Sequence, residues 1–302
     1  MSKIFLDGGD PQETREVVSL LGSLDGQTTN PTLIAKNPRA QKCLGERTCT
    51  AADILSLYKD LVREISELIP KGSVSVEVYA DRETTTQDML KHAREMWSWI
   101  PNAHIKFPTT KAGLAAAEQS ITEGMRVNMT LVFSQEQAAA VHAATRGAKR
   151  GEVFVSPFIG RLDDIGENGM DLIKNIKRMY GETGSHVQLL AASIRSTEHV
   201  LASLAYNADI LTVPAKVIRS WVETGKPEPL SQGETGTGKP EGGVRGVGVP
   251  EGFSYDAKGL TPIPYKRLDL SKGWREFNSS HPLTDKGIER FAADWNALIG
   301  TE

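Results

Sequence analysis

Between residues 3 and 224 the sequence alternates short apolar runs with longer amphipathic segments, through eight cycles. Runs such as "KIFLD", "VSVEVYA", "RVNMTLVF" and "ADILTVP" read as strands. The segments between them read as helices: "AADILSLYKDLVREISELI" carries Ile54, Leu57, Leu61, Ile65 and Leu68 at helical spacing, and "SQEQAAAVHAAT" opens with Ser134 and Gln137 placed as a capping box. "VVSLLGSLDG" reads as a helix ending near Gly22 or Gly26, and "QTTNPTLI" as a strand leading into a loop at its X-Pro step. Strand–helix alternation calls for a parallel sheet with helical crossovers. Eight units in 302 residues match a (β/α)8 TIM barrel, although an open doubly wound sheet shares the alternation. The barrel is preferred because polar residues recur in or just after the strands: Asp7, Asn30, Glu77, Lys106, Asn128, Thr130, Ser156 and Ser193. In a barrel the carboxyl ends of all strands converge on one face.

The expected layout is one barrel domain over residues 1–302, with an irregular Gly/Pro-rich loop at 226–264 and a C-terminal helix at 284–298. The helix places Ile288, Phe291, Trp295 and Leu298 on one face. A net charge of −3 supplies no global field for nucleic acid or anionic membrane, so an anionic ligand must be held by local cations. No run approaches the ~20 apolar residues of a membrane helix, and "MSKIFLDGGD" lacks a signal-peptide pattern. The two cysteines, Cys43 and Cys49, fit no common zinc spacing and read as ordinary reduced thiols, which suits a cytoplasmic location.

Two stretches invite chemistry. "GETGTGK" at Gly233–Lys239 matches most of a phosphate loop, but Pro240 stands where the magnesium-binding hydroxyl belongs, and neither a strand nor a helix flanks it. It reads as a solvated loop. In "HIKFPTT", Lys106 sits inside an apolar run, where an ammonium is costly. A desolvated amine is a usable nucleophile that forms Schiff bases with ketones and aldehydes; the bland alternative is a lysine that snorkels to water.

"FLDGGDP", "TTNPTLI", "VSVEV", "IKFPTT", "VNMTLVFS", "VSPFIGRLDD" and "AASIR" occur in this order, and "LTDKGIERFAADW" closes the chain. The series resembles the transaldolase family. The resemblance implies a class I aldolase barrel with Lys106 as the Schiff-base nucleophile and Asp7 as the base that deprotonates the C4 hydroxyl. Glu77 would act through a water, helped by Thr130. Asn30 and Asn128 would hold the imine or the hydroxyls of the three-carbon unit, and Ser156 its terminal hydroxyl. Arg161, Ser193 and Arg195 would bind the phosphate. Phe158 and Glu77 stand where aldolase relatives carry tyrosine and glutamine, which points to transfer of dihydroxyacetone rather than its release. Fructose 6-phosphate aldolase and a non-catalytic sugar-phosphate-binding barrel are the alternatives. The resemblance implies sugar-phosphate substrates and no metal or organic cofactor. It leaves homo-oligomer formation open. "GGD" after Asp7 and the Gly/Pro-rich loop depart from the family pattern.

Overall fold

A computed structural model describes residues 2–46, 49–224 and 253–299. In chain order the elements are β1 (Lys3–Asp7), α1 (Pro11–Leu21), β2 (Gly26–Thr28), α2 (Pro31–Ala35), α3 (Pro38–Glu46), α4 (Ala51–Leu68), β3 (Ser73–Glu77), α5 (Thr86–Trp97), β4 (Ala103–Pro108), α6 (Lys111–Thr122) and β5 (Val127–Val132). They continue with α7 (Gln135–Ala144), β6 (Val153–Pro157), α8 (Ile159–Asp163), α9 (Gly169–Thr183), β7 (Gln188–Ala191), α10 (Thr197–Ala205), β8 (Ile210–Val213), α11 (Ala215–Glu223) and α12 (Pro282–Asn296). All eight strands pair in parallel and in chain order. The sheet closes where β1 meets β8, with Lys3 opposite Ile210 and Leu6 opposite Val213. Closure decides between the barrel and the open sheet, in favour of the barrel.

The register matters most for function. Glu77 lies opposite Lys106, Lys106 opposite Asn128, and Asp7 opposite Thr28. Polar side chains of adjacent strands therefore stand beside one another. Between β5 and β6 the register shifts, and Leu131 takes φ 57°, a left-handed conformation unusual outside glycine.

Several local expectations need correcting. The chain after "TTNP" is not a loop: Pro31 and Pro38 begin α2 and α3, as proline suits the first helical turn. The side chain of Asn30 caps α2 by accepting from Leu33 N at 2.9 Å. On α4 the buried face takes Tyr58 and Val62, while Leu57 and Leu68 are only half-buried. Ser134 caps α7 as expected, but the Gln137 side chain reaches Phe133 N rather than Ser134 N. Helix α12 starts two residues before 284, at Pro282, and ends at Asn296, so Leu298 is buried beyond it. Cys43 and Cys49 are not free thiols but form a disulfide, with Cα atoms 5.4 Å apart. Cys43 lies on α3 and Cys49 just before α4, and cysteine usage no longer argues for a reducing compartment. The Gly233–Lys239 loop lies outside the described residues.

The "GGD" departure has a packing reason. A Cβ on Gly9 would fall 2.7 Å from the Leu33 carbonyl oxygen, so α2 can lie against β1 only if that position is glycine. Asp10 then caps α1 by accepting from Gln12 N at 2.9 Å.

Helix α12 lies across the carboxyl end of the barrel and is tied there by one buried glutamine. Gln137 Nε2 donates to Thr284 Oγ1 at 2.8 Å and to Ser279 O at 3.1 Å, while Thr284 Oγ1 donates to Leu131 O at 2.8 Å. Gln137→Leu takes from Phe133 N, Thr109 O and Ser279 O the hydrogen bonds that the buried amide makes to them. The expected loss is about 2–4 kcal/mol of stability in urea unfolding, and a loss below ~0.5 kcal/mol would contradict this account of how α12 is held.

Candidate active site

One cavity of about 210 Å³ opens at the carboxyl end of the barrel. Asp7, Asn30, Lys106, Ser156, Phe158, Arg161, Ser193 and Arg195 all line it. Glu77 and Asn128 join through direct contacts: Glu77 Oε2 lies 2.9 Å from Lys106 Nζ, and Asn128 Oδ1 accepts from Ser156 Oγ at 2.7 Å. The Thr130 hydroxyl is buried two residues beyond Asn128, without a protein hydrogen-bond partner. Apart from Thr130, which no described contact ties to the cavity, the sequence-predicted set is brought together at one end of the fold.

Lys106 does not snorkel. Its side chain is 3% exposed, and Nζ donates to Thr29 O at 3.1 Å beside Glu77. Glu77 Oε2 is close to the ammonium but not aligned for a hydrogen bond, so the contact is chiefly ionic. Burial pushes the Glu77 carboxyl above the usual carboxylate range, against the pull of Lys106. Burial also raises Asp7, opposed by Lys106 and by the hydrogen bond it accepts from Thr28 Oγ1 at 2.8 Å. Asp7 keeps partial contact with solvent, but protein surrounds its carboxyl. Two carboxylates thus flank one amine in a poorly hydrated floor, each with increased proton affinity.

The cations stand at the mouth. Arg195 makes a two-pronged ion pair with Asp164, one prong at 2.7 Å. Its backbone N–H meets His199 Nδ1, and Ser193 just before it takes φ 58°. The Arg161 guanidinium lies over the rings of Phe158, at 5.2 Å, and Phe291, at 5.4 Å. His104, at the opposite end of β4, is structural: it bonds Ser73 Oγ and Gly151 O, stacks on Phe154, and burial lowers its pKa to about 3.

Sequence reasoning missed several residues. Thr28 and Thr29 lie within the quoted "TTNP" but received no role; Thr28 also bonds Thr212 Oγ1 at 2.5 Å. Tyr58, absent from the helical positions named above, accepts the Glu77 backbone N–H at 2.8 Å and bonds Thr29 Oγ1 at 2.6 Å. Arg290 and Phe291 reach the cavity from α12, and Phe291 was assigned only to a core-facing stripe. Only Thr212 carried a local signal, a lone hydroxyl in a buried strand. Among the described residues no helix is long and apolar enough to cross a membrane, and no three His, Cys, Asp or Glu side chains are grouped to hold a metal ion.

The raised Asp7 pKa has a stability consequence. A carboxyl whose folded pKa exceeds its unfolded value costs stability as pH rises through that window, and the cost is fully present above it. Asp7→Asn should therefore raise Tm by a few degrees at about pH 7.5, and the gain should shrink toward zero near pH 4, where aspartate protonates in either state. A gain that stayed constant with pH, or a loss at neutral pH, would refute the burial argument.

Comparison with known proteins shows the family. Residues 4–302 match a family profile described as "Transaldolase/Fructose-6-phosphate aldolase". A "Probable transaldolase" of Dehalococcoides mccartyi is 34% identical over 98% of this chain and 99% of its own. Proteins with the same description from Herpetosiphon aurantiacus and Lactiplantibacillus plantarum are 33% and 30% identical, covering 98% and 99% of this chain and 96% and 99% of theirs. A barrel with a buried lysine on its fourth strand, matched over nearly its whole length, belongs to the transaldolase/fructose-6-phosphate aldolase family.

Proposed function

We propose that this chain is a transaldolase that moves a dihydroxyacetone unit from a ketose phosphate to an aldose phosphate through a Schiff base on Lys106. The strongest support is one contact, the 2.9 Å approach of the buried Lys106 amine to Glu77. Burial raises the proton affinity of Glu77, which stands 2.9 Å away to receive the proton that the amine must shed before it attacks. The amine is then free to attack C2 of the ketose. The resulting carbinolamine loses water to give the imine, with Glu77 moving protons through that water beside Thr130.

Asp7 takes the proton of the C4 hydroxyl. The C3–C4 bond breaks, its electron pair enters the imine, and an enamine remains on Lys106 while the aldose phosphate leaves. Asn30, Asn128 and Ser156 hold the three-carbon unit, and Arg161, Ser193 and Arg195 receive the phosphate, for which the guanidinium fork is well shaped. The acceptor aldehyde then adds to the enamine, and water returns to release the product. The default donor and acceptor are those of the pentose phosphate pathway in the cytosol. Intact Asp7, Glu77 and Lys106 around one cavity argue against a barrel that only binds.

Borohydride added with fructose 6-phosphate should fix one reduced three-carbon unit on Lys106, located by peptide mass mapping; an adduct elsewhere, or none, rules the mechanism out.

Transfer rather than release is favoured by Phe158, whose ring lies against Arg161 and carries no proton to quench the enamine. Phe158→Tyr should increase free dihydroxyacetone and reduce transfer to erythrose 4-phosphate in a coupled assay. If the wild type already releases dihydroxyacetone as fast as it transfers it, the aldolase reading is the correct one.

A further inference from the structure

The cavity that holds Lys106 has a cation from a part of the chain that contributes no strand. Arg290, on α12, lines it together with Arg161 and Arg195. We propose that Arg290 is a specificity-determining residue, a third cation that receives the phosphate of the sugar phosphate, so that α12 completes the anion subsite. This deepens the proposed function, on which its choice of substrate rests.

Three observations carry the inference. First, Gly287, Arg290 and Phe291 fall on one face of α12 by their spacing, and that face meets Arg161. A Cβ on Gly287 would lie 2.8 Å from Arg161 Nη1, and the Phe291 ring stacks on the same guanidinium. Second, the positive charge is under-neutralised. Arg195 has Asp164 as a two-pronged partner, but Arg161 has no ion-pair partner among the described residues. Arg290 has only a loose approach to Asp294, at 3.8 Å, and Asp294 makes its tighter contact with Thr32 Oγ1. Third, burial lowers the pKa of Arg161, and Arg290 and Arg195 add to that effect while Glu77 and Asp164 oppose it. Gathering like charges at a cavity mouth is unfavourable unless an anion is to be held there. The Arg290 side chain is 65% exposed, so it is available to a ligand entering from solvent.

The test uses inorganic phosphate as the probe. Calorimetric titration should show phosphate binding to the full-length protein, about tenfold weaker in Arg290→Gln, as expected for one charge-assisted hydrogen bond. Arg290→Lys should fall between the two, because the charge remains without the fork. Arg275→Gln removes an equally exposed arginine whose only described ion-pair partner is Glu118 at 3.8 Å, and it should bind phosphate as the wild type does. Borohydride trapping of dihydroxyacetone, which carries no anion, should proceed equally in wild type and Arg290→Gln. Unchanged phosphate affinity in Arg290→Gln, an equal loss in Arg275→Gln, or a parallel loss of dihydroxyacetone trapping each overturns the proposal. Phosphate binding that depends on Arg290 in a protein that transfers no dihydroxyacetone would support the anion subsite while refuting the transaldolase reading.

Discussion

The rest of the molecule is organised around a buried ion pair. Lys106 and Glu77 are each 3% exposed, and taking two charges out of water costs several kcal/mol apiece before their attraction is counted. Such a pair persists only if both partners are fixed. The parallel register does this by setting Glu77 directly opposite Lys106, with Asn128 on the next strand. Tyr58 adds a second restraint from outside the sheet, since its hydroxyl binds the Glu77 backbone and Thr29 together. Burial in this floor raises the proton affinity of both Asp7 and Glu77.

Helix α12 links stability to the site. It is anchored by Gln137 and Thr284 to the segment around Leu131, where the β5–β6 register shifts. The same helix sets Phe291 against Arg161 and Arg290 at the cavity mouth. Residues far from Lys106 in sequence thereby control how the cavity is closed and charged. A substitution that loosened α12 would alter both folding and the arginine-lined mouth of the cavity, so measurements on this helix need a stability control.

Much of the architecture was legible in the sequence because it rests on local periodicity. The eight strands follow from short apolar runs, α12 from the spacing of Ile288, Phe291 and Trp295, and the buried lysine from its place in "HIKF". The short helices α2 and α3 were not legible, because five and nine residues carry too little periodicity and the proline that opens α2 suggested a loop. The disulfide was not legible because the pairing depends on where α3 ends and α4 begins, which the cysteine spacing alone does not give.

The sequence by itself determined which residue types lie on which strands, since side-chain alternation and apolar patterning are properties of a few neighbouring residues. It thereby placed Asp7, Glu77, Lys106 and Asn128 in strands or at their ends. The tertiary structure alone decided that these ends face one another, because closure of β1 on β8 and the relative register of parallel strands depend on pairings between distant segments. It also decided the electrostatics. Desolvation of Glu77, restraint by Tyr58 and the arrival of Arg290 from α12 are consequences of packing across the whole barrel, and no local window of sequence contains them.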